Sequence, residues 1–116
     1  MSVTVYGIPN CDTIKKARKW LEQNSVSYTF HDYKKSGVPG EKLGDWVILE
    51  GWETILNRSG TTFRKLDEVL RTDIDSDKAV MLMKAHPSMI KRPIVEYDDG
   101  ILVGFHGPTW AEALNP

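Results

Sequence analysis

Apolar positions recur along the chain with two different periods, and the switches between them mark the elements. Val3 and Val5 alternate with Thr4 and Tyr6, which predicts a first strand ended by Gly7 and Pro9. Ile14, Ala17 and Leu21 then recur at helical spacing, with Trp20 widening the face. Asn10 or Asp12 is the expected N-cap of that helix, and Asn24 its stop. Ser27-Tyr28-Thr29-Phe30-His31-Asp32-Tyr33 alternates again and is rich in β-formers, so it reads as a second strand. Together these form a β-α-β unit, with parallel strands and a right-handed crossover.

The middle of the chain shows only the helical period. Lys34-Lys35-Ser36-Gly37 reads as a loop, and Pro39 suits the first turn of a helix. Leu43, Trp46, Val47 and Glu50 mark one face of that helix, and Gly51 follows its end. Gly44 inside it costs about 1 kcal/mol relative to alanine. Residues 52–56 predict a short second helix, and Asn57-Arg58-Ser59-Gly60 a polar loop. Thr61 or Thr62 is expected to cap a further helix through Phe63 and Leu66. Asp75-Ser76 opens a clearer one with Ala79, Val80 and Met83, which must stop before Pro87. Met81, Met83 and Met89 read as core, and the four tryptophans as core or half-buried.

Alternation returns in Ile94-Val95-Glu96-Tyr97. Asp98-Asp99-Gly100 is a turn signal, so Ile101-Leu102-Val103 pairs back as a hairpin. Residues 104–108 read as a loop, and Thr109 as the cap of a last helix holding Trp110, Ala111 and Leu114. The order β-α-β, helices, β-β-α predicts an α/β, thioredoxin-like fold. It is read as a single domain over residues 1–116, with an all-helical insertion at about 35–90.

Composition narrows the function classes. The 116 residues are 41% hydrophobic and 27% charged, which fits a globular domain with a real core. A net charge of −1 argues against a general nucleic-acid or membrane-surface binder, so any anion site must be local. No apolar run nears the roughly 20 residues of a membrane span, and the N-terminus lacks a secretory pattern. The one cysteine cannot form an internal disulfide, so a reduced, cytoplasmic setting is expected.

That cysteine, Cys11, sits where the first strand hands over to the first helix. A thiol there faces unpaired backbone N–H groups and the positive end of the helix dipole, which favour the thiolate. Asn10, Asp12 and Thr13 form the stabilising loop, and Lys15, Lys16, Arg18 and Lys19 follow it. The position three after Cys11 is Ile14, so no internal thiol can resolve a mixed disulfide. An external one must, and glutathione is the expected co-substrate. Phosphatase-type chemistry is excluded, because the spacing to Arg18 is Cys-x6-Arg without glycines between.

Arg58 and Arg92 are the candidate anion ligands, since a guanidinium binds carboxylates and oxyanions bidentately. Pro93 stands directly before a strand, where resemblance to thioredoxin-like folds implies a cis-proline facing the active cysteine. His31, His86 and His106 lack ligand spacing to Cys11 and to one another, so no metal and no bound cofactor are expected. His106 reads as a solvent-exposed loop histidine.

Three blocks in order then resemble the ArsC/Spx family of arsenate-reductase-like proteins, in its YffB-like branch. They are Pro9-Asn10-Cys11-Asp12-Thr13-Ile14-Lys15-Lys16-Ala17, Leu56-Asn57-Arg58-Ser59-Gly60-Thr61-Thr62-Phe63-Arg64-Lys65-Leu66 and Pro87-Ser88-Met89-Ile90-Lys91-Arg92-Pro93-Ile94. Leu102-Val103-Gly104-Phe105 also fits. The resemblance implies that Cys11 is the nucleophile and that Arg58, Arg92, Pro93 and Lys15 bind an anion or glutathione. It implies glutathione, a glutathionylated or oxyanion substrate, and glutaredoxin as partners. Two positions depart from the arsenate reductases of the family. Phe105 stands where their third arginine falls, and Gly7 where they carry a histidine. Losing one charge-assisted contact to a buried anion costs about 1.5–3 kcal/mol, which shifts the expected guest from arsenate to a carboxylated thiol. The alternative is an Spx-like, non-catalytic regulator that binds RNA polymerase. That branch uses a Cys-x-x-Cys switch, which Ile14 removes here.

Overall fold

The computed structural model of the protein describes residues 2–98 and 100–116. Its strands are β1 (Thr4–Gly7), β2 (Thr29–Asp32), β3 (Ile94–Tyr97) and β4 (Gly100–Val103). Its helices are α1 (Asp12–Gln23), α2 (Tyr33–Ser36), α3 (Gly40–Glu50), α4 (Trp52–Ile55), α5 (Thr61–Arg64), α6 (Glu68–Arg71), α7 (Ser76–Ala85) and α8 (Gly107–Leu114). A 3-10 turn, Pro87–Met89, follows α7. The sheet order is β2-β1-β3-β4. β1 runs parallel to β2, with Thr4 opposite Thr29, and antiparallel to β3, with Tyr6 opposite Ile94. β3 and β4 pair antiparallel. This is the α/β, thioredoxin-like order, β-α-β and β-β-α, with helices between the halves.

The chain forms two compact units, Met1–Gly37 with Arg92–Pro116, and Val38–Lys91. In the first, strand alternation sends Val3, Val5, Val95 and Leu102 to one side of the sheet. There they bury against Ala17 and Leu21 of α1 and against Trp110 and Leu114 of α8. Gly7, at the end of β1, lies under α1. A Cβ on it would sit 2.5 Å from Ile14 Cδ1, so a larger residue here would force the buried Ile14 side chain to shift. In the second unit Leu43, Trp46 and Val47 of α3, Ile55 of α4 and Ala79, Leu82 and Met83 of α7 are buried. A lone antiparallel bridge, Leu56 to Ile90, and a Thr62–Ser88 hydroxyl contact of 2.9 Å tie its later segments together.

Several local expectations need correction. The N-cap of α1 is Cys11 itself, neither Asn10 nor Asp12. Gly60 rather than a threonine precedes α5, and His106 rather than Thr109 precedes α8, where Pro108 falls in the first turn. The expected loop at 34–37 is mostly the short helix α2, because the Asp32 carboxylate accepts from the Lys34 N–H at 2.8 Å and caps it. Helix α6 carried no apolar period and had no signal, and no residue of it is buried. Met81 is 52% exposed, while Met83 and Met89 are core. Of the turn at 98–100, Asp99 lies outside the described residues, and Gly100 already belongs to β4.

Tyr33, expected to end the second strand, starts α2 instead and is buried. Its hydroxyl has no hydrogen-bond partner among the described residues. The neighbouring Tyr6 hydroxyl donates to Glu96 Oε1 at 2.5 Å. Burial pushes both phenols up from the ordinary value of 10.0. The hydrogen bond and charge of Glu96 add to the effect at Tyr6, and the charges of Tyr6 and Glu96 add to it at Tyr33. A raised phenol stays neutral in the fold while the unfolded chain ionises. The stability it contributes is therefore complete below pH ~10 and is lost as pH rises above that. Tyr33→Phe removes an unpaired buried hydroxyl, so it is expected to raise stability by about 1 kcal/mol. Urea unfolding at pH 8 and again near pH 10.5 should also show a smaller alkaline loss in this variant than in the wild type.

Candidate active site

β1 delivers the chain to a short loop, 8–11, whose shape is set by its own backbone. The Cys11 N–H donates to Pro9 O at 3.0 Å, a tight turn across Asn10. Cys11 then takes extended angles, φ −149° and ψ 131°, and its carbonyl accepts the first bond of α1 from the Lys15 N–H at 3.0 Å. The free thiol is half-buried and makes no cap bond. At an N-cap the side chain normally accepts from the second or third N–H of the helix. The first-turn N–H groups of Asp12, Thr13 and Ile14 have no acceptor inside the helix. Asn10, Asp12, Thr13 and Lys15 are exposed around the thiol. Ile14 is fully buried, so the position of a would-be resolving cysteine is used to pack α1 onto Gly7.

Sheet register fixes where Pro93 falls. Tyr6 pairs with Ile94, so Pro93 falls one step further, beside the end of β1 that leads into the Cys11 loop. The Arg92–Pro93 peptide is cis. Pro93 is buried, and its carbonyl accepts from the Gly104 N–H at 2.9 Å. Gly104 has φ 76°, a conformation that favours glycine. Arg92, half-buried, directly precedes this pinned proline. Cys11, its loop, Arg92 and Pro93 thus belong to one compact unit.

Arg58 belongs to the other unit, in the loop between α4 and α5. Asn57 Oδ1 accepts from the Ser59 N–H at 3.3 Å and from the Ser59 hydroxyl at 2.9 Å, which closes that loop. The exposed Arg58 guanidinium stands 5.3 Å from the centre of the Trp52 ring. Phe105 packs edge-on against Trp110, with centroids 4.9 Å apart, and against Trp20 at 6.4 Å. Phe105 thus belongs to an aromatic cluster with Trp20 and Trp110. His106 is exposed, and its Nδ1 lies 2.8 Å from Thr109 Oγ1. No group of three or more His, Cys, Asp or Glu side chains assembles among the described residues. No helix among them is long and apolar enough to cross a membrane.

Arg18 departs most from its sequence reading. It counted among the cations flanking the thiol, but two turns of helix carry it about 10 Å along the axis. Its Nε donates to the Tyr28 hydroxyl at 3.0 Å, and its guanidinium lies 4.3 Å from the centre of the Phe30 ring. It lines a cleft of about 440 Å³ with Pro9, Phe30, Asp32, Lys35 and Ser36. The helical period placed Arg18 off the buried face, but only the β1–β2 pairing brings Phe30 and Asp32 to it.

The profile of the ArsC family matches residues 6–113. The chain belongs to the ArsC family. Among solved structures, this ArsC-family chain is similar to a YffB protein at 54% identity and TM-score 0.94, covering 97% of this chain and 98% of the other. It is also similar to an arsenate reductase (ArsC) related protein from Brucella melitensis at 51% identity and TM-score 0.78, covering 100% and 97%. An uncharacterized protein of Haemophilus influenzae is 39% identical over 97% of this chain and 98% of its own length. The global transcriptional regulator Spx of Streptococcus mutans is 28% identical over 90% of this chain and 77% of its own.

Proposed function

We propose that this protein is an arsenate-reductase-like thiol oxidoreductase that works with glutathione through the single nucleophile Cys11. The observation that carries the reading is the half-buried thiol at the N-cap of α1, which makes no cap hydrogen bond, in the same compact unit as the cis Arg92–Pro93 peptide. A thiolate there would fill the place of the missing cap acceptor, taking the first-turn N–H groups that a neutral thiol leaves unused. The Cys11 thiolate attacks one sulfur of a glutathionylated substrate. A bond forms from Cys11 to the glutathione sulfur, and the substrate leaves as its thiolate. A second glutathione thiolate then attacks the Cys11-bound sulfur, releasing oxidised glutathione and regenerating Cys11. Arg92 and Lys15, in the same compact unit as Cys11, are the proposed carboxylate or oxyanion ligands.

Relatedness to an arsenate reductase related protein keeps arsenate among the candidate substrates. Phe105, engaged by Trp20 and Trp110, supplies no charge for a tetrahedral oxyanion, which favours the carboxylated thiol. The test is mass spectrometry after incubation with oxidised glutathione. One glutathionyl group on Cys11, removed again by reduced glutathione, is the expected result. An unmodified protein that instead recovers RNA polymerase in a pull-down would overturn the reading in favour of an Spx-like role.

A further inference from the structure

We infer that the cleft between α1 and the β2 edge is the binding site for the charged ends of a γ-glutamyl peptide thiol, with Arg18 and Lys35 as its carboxylate ligands and Asp32 as its ammonium ligand. The inference rests on the glutathione reading above and adds to it where the peptide is held. The cleft measures about 440 Å³, within the usual range for small-ligand sites. Its lining starts at Pro9, whose carbonyl holds the Cys11 N–H, so it opens on the loop that carries the thiol.

The guanidinium of Arg18 is set in advance. Its Nε is occupied by Tyr28, and its plane is held at the Phe30 ring and 5.7 Å from the Tyr28 centroid. Among the described residues its terminal amino groups have no acceptor, so they remain free for a carboxylate. Lys35 is exposed and without an ion pair among the described residues. The turn that carries it is held by the bond between His31 Nε2 and Gly37 O at 2.8 Å. Asp32 is fixed by the Lys34 N–H. Pro9 and Phe30 supply apolar wall between these charges. Glutathione carries two carboxylates, one ammonium and a largely uncharged middle. The cleft offers two cations, one carboxylate and an apolar floor, the complementary set.

The test has a binding arm and a rate arm. In the Cys11→Ser protein, S-methylglutathione should produce saturable amide shifts at Phe30, Lys35 and Ser36. Adding Arg18→Gln and Lys35→Gln should weaken that binding at least about tenfold. With Cys11 present, the same pair should slow reaction with oxidised glutathione about tenfold and leave the uncharged bis(2-hydroxyethyl) disulfide rate unchanged. Shifts confined to other residues, or equal loss with both disulfides, would overturn the inference. If S-methylglutathione binds at the cleft while Cys11 reacts with neither disulfide, the cleft stands and the thiol chemistry fails. If Cys11 prefers oxidised glutathione but the cleft variants react like wild type, the chemistry stands and the cleft fails.

Discussion

Cys11→Ser is expected to lower thiol transfer by at least about 10³-fold while leaving the fold intact. Serine is nearly isosteric and is a preferred N-cap residue, so α1 should be at least as well capped as before. Stability, read from urea unfolding, should therefore hold or rise slightly as activity disappears. The two readouts moving apart is the signature of a reactive group. Cys11 is half-buried at a helix start, not inside the core cluster of Val5, Leu21 and Trp110, so packing gives the thiol little to do. Retained transfer in Cys11→Ser would remove this residue from the mechanism.

Trp110→Ala is expected to cost about 3–5 kcal/mol, a large share of the 5–15 kcal/mol that holds a domain together. Trp110 is 1% exposed, sits among Val5, Ala17, Leu21 and Val95, and meets the rings of Phe105 and Trp20 edge-on. Its Nε1–H donates to Gly104 O at 3.1 Å, and the Gly104 N–H donates to Pro93 O. The same side chain thus packs the core and holds the strand end that pins the cis-proline. Trp110→Phe should cost less, because it keeps most of the apolar contact and loses the donor. Urea or thermal unfolding of the two variants gives the comparison. A loss under 1 kcal/mol for Trp110→Ala would show that α8 is not part of the core that supports the site.

The strands and long helices were legible because each one is patterned by a single periodicity. Val3 and Val5 fall on one face of β1, and Ile14, Ala17 and Leu21 on one stripe of α1; both patterns survive in the fold. Cap positions were less legible. Cys11, Gly60 and His106 hold these places without any cap bond from their side chains, so no capping chemistry marks them in the sequence. Met81 could not be told from Met83 by hydrophobicity, since only the facing of α7 separates an exposed side chain from a buried one.

The sequence by itself determined the order of elements, the family blocks, the single thiol and its place between strand and helix. Those are local properties, carried by periodicity and by neighbours in the chain. Only the structure decided that Cys11 is the cap, its N–H spent on Pro9 and its carbonyl opening the helix, because no cap bond from its side chain marks that place in the sequence. It alone decided that Ile14, at the position of a would-be second cysteine, closes over Gly7. It also set Arg18 against Phe30, in a cleft that exists only where β2 pairs with β1. That last placement depends on pairing register, which brings β2 to β1, and not on local preference.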